Sequence, residues 1–312
     1  MKLTHEMLDR LDKLEEKYAV MGQDMSSYLD GLLYNDYLTY WDYIHLDTLL
    51  SLQNPRTSLP DEQIFIMYHQ ITELYFKLTI KAIEQLIKAP TLTVELFKRQ
   101  MNRVIRYIEH LIDSFDVMID GMDRDEFLKF RMSLLPASGF QSGQYRKIEI
   151  LSTDLYHLVH HSKRAEIDAN TDFETAYEHL YWKSGATELA TGRKTLTLKQ
   201  FEKKYSTEFI TLAETVKSTN LWQTYLKLDE KDREDEDVIR LMREYDFSTN
   251  VRWPLMHFKS AVRYLDQKPD IIKATGGTNW QKYLPPIHQR IIFYPELWTK
   301  EELDKWGRKV KM

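Results

Sequence analysis

Hydrophobic residues recur at intervals of three and four along most of this chain, the spacing that lines one face of an α-helix. Residues 4–20 carry Met7, Leu8, Leu11, Leu14 and Tyr18 in that rhythm, with charge at most other positions, which predicts an amphipathic helix. A second helix is expected over 39–53, with Tyr43, Leu46, Leu49 and Leu50 on one side. A long one is expected over 60–88, its buried stripe being Ile64, Met67, Tyr68, Ile71, Leu74, Tyr75 and Leu78. Ser58 followed by Asp61, with Pro60 between them, is a helix-start signature. Val94 to Ile119 reads as another long helix, and two helical pieces flank a break at Pro136 to Gly139. Residues 197–217 and 219–246 continue in the same period. Leu255, Phe258, Val262 and Leu265 complete the pattern in a helix whose first turn holds Trp253 and Pro254. Proline is at home there because that N–H has no intrahelical partner.

Only 10 Gly and 9 Pro interrupt the 312 residues, so the expected fold class is all-α, a single helical domain spanning residues 1–312. The stretch 163–200 has the weakest period and reads as a peripheral insertion, with Asn170, Thr171 and Asp172 capping a helix that runs to about Ser184.

Composition narrows the classes. The chain is 43% hydrophobic and 29% charged, ordinary for a soluble protein with a sizeable core. Net charge is −5 and the basic residues form no stripe, which argues against nucleic acid as a partner. No apolar run approaches the roughly 20 residues of a membrane span, and the charged start is unlike a signal peptide. Cysteine is absent, so disulfides and thiolate chemistry are excluded, and a cytoplasmic location is expected. Any metal must be held by His or carboxylate, or arrive within a cofactor.

The candidate chemistry is sparse. His257 sits beside the apolar stripe of its helix, as a hydrogen-bonded core residue or as a ligand. His69 and Glu73 are one helical turn apart and are either a metal pair or members of a buried hydrogen-bond network. His157, His160 and His161 form a cluster without a third ligand at metal spacing and read as facing the surface or a partner. Arg131 shares its helix with Phe127 and Leu134. A cation in that apolar set calls for an anion, either a carboxylate ligand or an acidic side chain, unless it snorkels to solvent.

DEQIFIMYHQITELYFK (61–77) resembles the tryptophan 2,3-dioxygenase family. So do YWDYIHLDTLLSLQ (40–53), SGFQSGQYRKIE (138–149), RWPLMHFKSAVR (252–263), ATGGTNWQKYL (274–284) and FYPELW (293–298), in family order. The resemblance implies an all-helical haem (haem b) dioxygenase acting on L-tryptophan and O2, assembled as a homotetramer, a dimer of dimers. It implies that His257 is the proximal haem ligand and that Arg131 binds the substrate carboxylate. Thr275 matches the residue that holds the substrate ammonium, with Gly276 and Gly277 closing over the site. Phe127 takes the place of a pocket tyrosine, Leu134 is a pocket wall, and Ser138 and Gly139 back the distal pocket. Tyr40, Tyr43 and Ile44 match residues that a neighbouring subunit contributes, so residues 1–55 are expected to act as an arm reaching that subunit's site.

One departure stands against these agreements. The family usually has a distal His immediately before the Asp-Glu of this block, and here that position is Pro60, with no His between His45 and His69. Arg56 stands about where an aromatic pocket wall is expected. A lost hydrogen bond of this kind costs on the order of 1–2 kcal/mol, a factor of about ten in rate or affinity. The altered distal side keeps two alternatives in view: a haem-dependent monooxygenase of another indole or phenol, and a non-catalytic haem or tryptophan binder.

Overall fold

Thr4, Thr39, Thr93, Asp123, Ser142, Asp172, Thr195, Asn220, Asp235 and Thr299 each accept a backbone N–H at a helix start, so the helix entries are written locally in the chain. The computed structural model describes residues 3–34, 38–134, 138–187, 193–267, 270–271, 281 and 284–308. It is all-α, apart from one antiparallel pair, Asp266–Gln267 with Asp270–Ile271. The chain divides into two compact units, Met1–Gln53 and Asn54–Met312.

The first unit holds α1 (His5–Val20), α2 (Met25–Tyr34), α3 (Tyr40–Ile44) and α4 (Leu46–Leu49). The rings of Tyr18 and Tyr28 stack at 4.0 Å and join α1 to α2. The single helix expected over 39–53 is broken at His45, which adopts the left-handed φ of 52°. None of the residues of these four helices is buried, and Tyr40 and Tyr43 are 69% and 72% exposed. Their apolar faces are left uncovered within this unit.

The second unit is built on α5 (Asp61–Ile87), α6 (Val94–Ser114), α7 (Asp116–Ile119), α8 (Arg124–Phe130), α9 (Gly143–Ser152), α10 (Phe173–Glu178), α11 (Tyr181–Gly185), α12 (Leu196–Val216), α13 (Leu221–Leu226), α14 (Glu230–Arg233), α15 (Glu236–Phe247) and α16 (Trp253–Leu265). Short helices α17 (Pro286–Gln289) and α18 (Lys300–Asp304) follow. Helix α6 packs on α5 and α15, while α9 packs on α5 and α12. The core between them takes Phe76 and Ile83 from α5, Phe97 and Met101 from α6, Ile148 and Leu151 from α9, and Leu241 and Tyr245 from α15. Burying one such side chain contributes about 1.5–3 kcal/mol.

Three expectations are corrected here. The stripe assigned to α5 splits in two. Tyr68, Phe76, Ile83 and Leu86 are buried, whereas Met67, Ile71, Leu74 and Leu78 are 40–50% exposed. The helix is apolar on two faces and the unit covers one. Residues 163–200 are not peripheral, since Ile167, Ala176, Tyr177, Leu180, Tyr181 and Trp182 lie in the main core. Their short helices give no sustained period, and that hid the burial.

Finally, Pro254 does not open a helix. The chain is helical from Glu236 to Leu265 through one π turn, Ser248–Arg252, in which Trp253 N–H donates to the Ser248 carbonyl five residues back. Proline inside a helix collides with the carbonyl four residues earlier, here Asn250, and a widened turn just ahead of it relieves that collision.

Candidate functional site

The starts of α5 and α8 are tied to each other. Asp61 accepts the backbone N–H of Asp123, and Glu126 accepts the N–H of Asp61 at 3.1 Å. Asp123 in turn caps its own helix through Glu126 N–H at 2.9 Å. This exchange satisfies helix-end donors and fixes where α8 ends. At that end a 3₁₀ turn, Arg131–Leu134, carries Arg131 inward to 5% exposure. Burial holds its guanidinium pKa below the usual value, the direction expected of a cation short of water. Leu134 is half-buried at the end of the same turn.

Arg131 follows directly on Phe130, which belongs to an aromatic cluster. Phe127 and Phe130 meet edge-to-face at 5.5 Å, Phe65 of α5 lies 5.7–6.0 Å from both, and Tyr264 of α16 lies 4.6 Å from Phe127. Phe65 also lies 4.1 Å from the ring of His69, one turn on. From there Tyr68 contacts Phe115, and Phe115 faces His257 at 6.0 Å and Trp253 at 4.5 Å. One aromatic cluster therefore links Phe130, the chain neighbour of Arg131, to the surroundings of His257.

His257 combines two properties. By surface area it is exposed, yet desolvation by the surrounding protein disfavours its cationic form, as would repulsion from a second imidazolium at His69, and its pKa is pushed down to about 4. The residue is open on one side, and its ring faces Phe115 at 6.0 Å on the other. At pH 7 it is neutral and keeps a lone pair. His69 is also held neutral by burial, against the opposing effects of its bond to Phe65 and of Glu73. Its Nδ1 lies 2.8 Å from the Phe65 carbonyl. A carbonyl only accepts, so Nδ1 carries the proton.

Glu73 is engaged in a hydrogen-bond network. It receives two bonds from Gln144 of α9, on its carbonyl and on its carboxylate, each 2.8 Å. Among the described residues no group of three or more His, Asp or Glu is arranged to hold a metal ion. His157, expected at the surface, is buried at 8% exposure on a 3₁₀ turn. Its Nδ1 meets the Thr153 hydroxyl at 2.8 Å and the Phe293 carbonyl at 3.2 Å, and burial pushes its pKa down to about 4. The short turn redirects a side chain that helical spacing would have left outside.

The remaining positions are placed as follows. Ser138 is half-buried and forms a capping box with Gln141, and Gly139 is exposed in the turn that follows. Pro60 is exposed at the start of α5 and makes no side-chain cap. Thr275, Gly276 and Gly277 lie outside the described residues. Tyr40, Tyr43 and Ile44 belong to the first unit.

Sequence reasoning missed three buried acids among the described residues, one of them Glu149, which accepts Arg146 at 2.7 Å and the Tyr181 hydroxyl at 2.5 Å. Glu62 is 1% exposed and accepts Arg56 N–H at 2.8 Å, Thr57 N–H at 2.7 Å and the Thr57 hydroxyl at 2.6 Å, closing the loop before α5. Its place in the Asp-Glu pair was the only signal. Asp246 is fully buried and collects Asn250 Nδ2, the N–H groups of Phe293 and Tyr294, and Trp298 Nε1, at 2.8–3.2 Å. Nothing in the periodicity marks it.

A separate pocket of about 450 Å³ lies among α9, α10, α12 and α13 and is lined by none of the site residues above. Its Asp154 is engaged by Asn220 and Gln223 at 2.7 and 2.9 Å.

Comparison with known proteins gives a family match and close agreement in length. The tryptophan 2,3-dioxygenase family matches residues 31–263, a span that includes Arg131 and His257. A tryptophan 2,3-dioxygenase of Ruegeria sp. (strain TM1040) is 30% identical over 280 residues, 85% of this chain and 92% of that protein. One from Bradyrhizobium sp. (strain BTAi1) is 32% identical over 273 residues, 84% and 91% of the two chains. One from Bordetella pertussis is 28% identical over 272 residues, 84% and 89%.

Proposed function

This chain belongs to the tryptophan 2,3-dioxygenase family, a family of oxygen-inserting enzymes, and from that premise we propose that it cleaves the indole ring of L-tryptophan. The observation that carries the proposal is a neutral imidazole, His257, joined by one aromatic cluster to Phe130, the chain neighbour of the buried Arg131.

In this reading the cofactor is haem, and the residues fit it. A haem iron takes a neutral imidazole as axial ligand and a macrocycle needs apolar walls. His257 offers the first, while Phe115, Trp253 and Tyr68 stand beside it as the second. His257 would hold the iron through one ring nitrogen, with Ser138 and Gly139 behind the opposite pocket. Bound haem supplies the iron chemistry that activates O2.

The chain's own residues bind and orient. Arg131 receives the substrate carboxylate, a fork-shaped anion matched to a guanidinium, and its burial strengthens that bond relative to water. Phe127, Phe65 and Leu134 flank the indole and exclude water. Thr275 holds the ammonium. The C2–C3 bond breaks and the two atoms of one O2 become the aryl-ketone and formyl oxygens of N-formyl-L-kynurenine, so no external reductant is consumed. The family's distal imidazole has no counterpart at Pro60, and positioning falls to Arg131 and the aromatic walls.

The assembly proposed is a cytoplasmic homotetramer, a dimer of dimers, in which Tyr40, Tyr43 and Ile44 complete a neighbour's pocket. The single-domain reading of 1–312 belongs with it, the first 55 residues serving as the arm. It is supported by the uncovered apolar faces of α1 to α4 and by the stripe Met67, Ile71, Leu74 and Leu78. No helix among the described residues is long and apolar enough to cross a membrane.

The test is incubation of the haem-loaded, reduced protein with L-tryptophan under isotopically labelled O2, followed by product mass. Two labelled atoms in a ring-opened product are expected. One labelled atom would make the protein a monooxygenase, the reading that the altered distal side favours. No product from a haem-loaded protein would end the assignment to tryptophan.

A further inference from the structure

The π turn Ser248–Arg252 decides which residues of α16 face the core. An α-helix advances about 100° per residue, and a π turn accommodates one residue more than an α turn does. Tyr245 points inward, where its hydroxyl meets Ser152 of α9 at 2.7 Å. In an unbroken α-helix His257, twelve residues on, would lie about 120° from the Tyr245 row. With one residue absorbed by the wide turn it lies about 20° from that row. Trp253 moves inward by the same rotation, and Arg252 moves out. The contacts agree: Trp253 meets Phe76 and Phe115, whereas Arg252 reaches Glu109 at 3.8 Å on the half-exposed side.

Three groups hold the turn in place. Pro254 has no N–H to give and would collide with the Asn250 carbonyl in a plain α-helix. Tyr145, from the neighbouring α9, donates its hydroxyl to the Thr249 carbonyl at 3.2 Å, serving a backbone acceptor at the site of the irregularity. Asp246 accepts Asn250 Nδ2 at 2.8 Å and anchors the same segment to residues 293–298.

We propose that Pro254, Tyr145 and Asp246 are positioning residues that lock this π turn, and that the turn sets His257 on the side of the helix that faces Phe115. The proposal rests on the reading of His257 as the haem ligand. Release of the lock lets the helix relax to α geometry, which turns His257 away and brings Arg252 and Met256 toward the core.

The experiment is hemin titration of the apo-protein together with the spectrum of the reduced complex, on Tyr145→Phe/Pro254→Ala, on the same variant with Thr249 also deleted, and on His257→Ala. The double variant is expected to bind hemin about 10- to 100-fold more weakly, the range for groups that orient a metal ligand, and to lose the wild-type iron–imidazole signature. Deleting Thr249 removes the extra residue, so a plain α-helix then keeps His257 on the Tyr245 row. Affinity and signature are both expected to return. Wild-type binding and spectrum in the double variant overturn the proposal, as does a folded deletion variant that fails to restore them. If the double variant loses its far-ultraviolet helical signal, Pro254→Ala alone is measured, and a wild-type result there also overturns it. An unchanged spectrum in His257→Ala defeats the ligand reading itself, a different failure.

Discussion

Glu62 accepts both the hydroxyl and the backbone N–H of Thr57, at 2.6 and 2.7 Å, and so fixes the loop that leads past Pro60 into α5. Pro60, which stands where the family usually has its distal His, ends this loop, and the loop's backbone donors converge on one carboxylate.

Glu62→Gln is expected to lower unfolding free energy by about 1–3 kcal/mol, because an amide cannot accept on both atoms and leaves buried donors unmet. Burial alone would raise the Glu62 pKa, but the bonds from Thr57 and Arg56 outweigh it and the net shift is downward. A carboxylate with a depressed folded pKa stabilises above its unfolded pKa, and that contribution is lost as pH falls through the folded value. Urea midpoints of wild type and variant should therefore converge on acidification. A gap that persists at low pH would show that the charge is not what closes the loop.

Arg131→Ala should weaken L-tryptophan binding about 10- to 100-fold, the loss of one charge-assisted bond, and leave indole binding nearly unchanged. Calorimetry with both ligands decides the point. Equal losses would assign Arg131 a structural role.

His257→Ala should abolish stable haem binding, read as loss of the Soret band after desalting, while the far-ultraviolet spectrum stays helical. A full haem complement with an unchanged spectrum would place the ligand elsewhere.

His157 gives a pH prediction. Its folded pKa of about 4 lies below the unfolded value near 6.5, so between those limits the unfolded chain binds more protons and stability rises with pH. Acidifying from pH 7 to 5 should cost about 2 kcal/mol through this group. His157→Asn keeps a donor toward the Phe293 carbonyl and should flatten the urea-midpoint profile over that window. A profile as steep as that of wild type would put the acid sensitivity in other groups.

The helices were legible because their signals are local: a cap, a period, a stop. Asp61–Ile87 and Leu196–Val216 fall within a residue of their expected bounds. Burial was less legible. The period of α5 marks which residues are apolar, but it cannot say which of two apolar faces the same chain will cover, and the wrong half of the stripe was assigned inward. Residues 163–200 escaped because two five- to six-residue helices repeat too briefly to show a face. At the site, Arg131 stood out as a cation in an apolar set, and its burial fits that reading. His257 was ambiguous as a lone His, and only the family resemblance gave it a role. Glu62 and Asp246 gave little sign because half or more of their donors are backbone N–H groups, which nearly every residue carries.

In the proposed assembly, the second apolar face of α5 makes dilution a destabilising condition. A partner that covers Met67, Ile71, Leu74 and Leu78 acts as a ligand of the folded state, so its free concentration enters the folding equilibrium. Melting temperature should then climb with protein concentration. During refolding the same stripe is exposed before it is covered, so dilute refolding protects against clumping at the cost of slower completion. The helix that anchors the site thereby also sets the concentration at which the protein is comfortable.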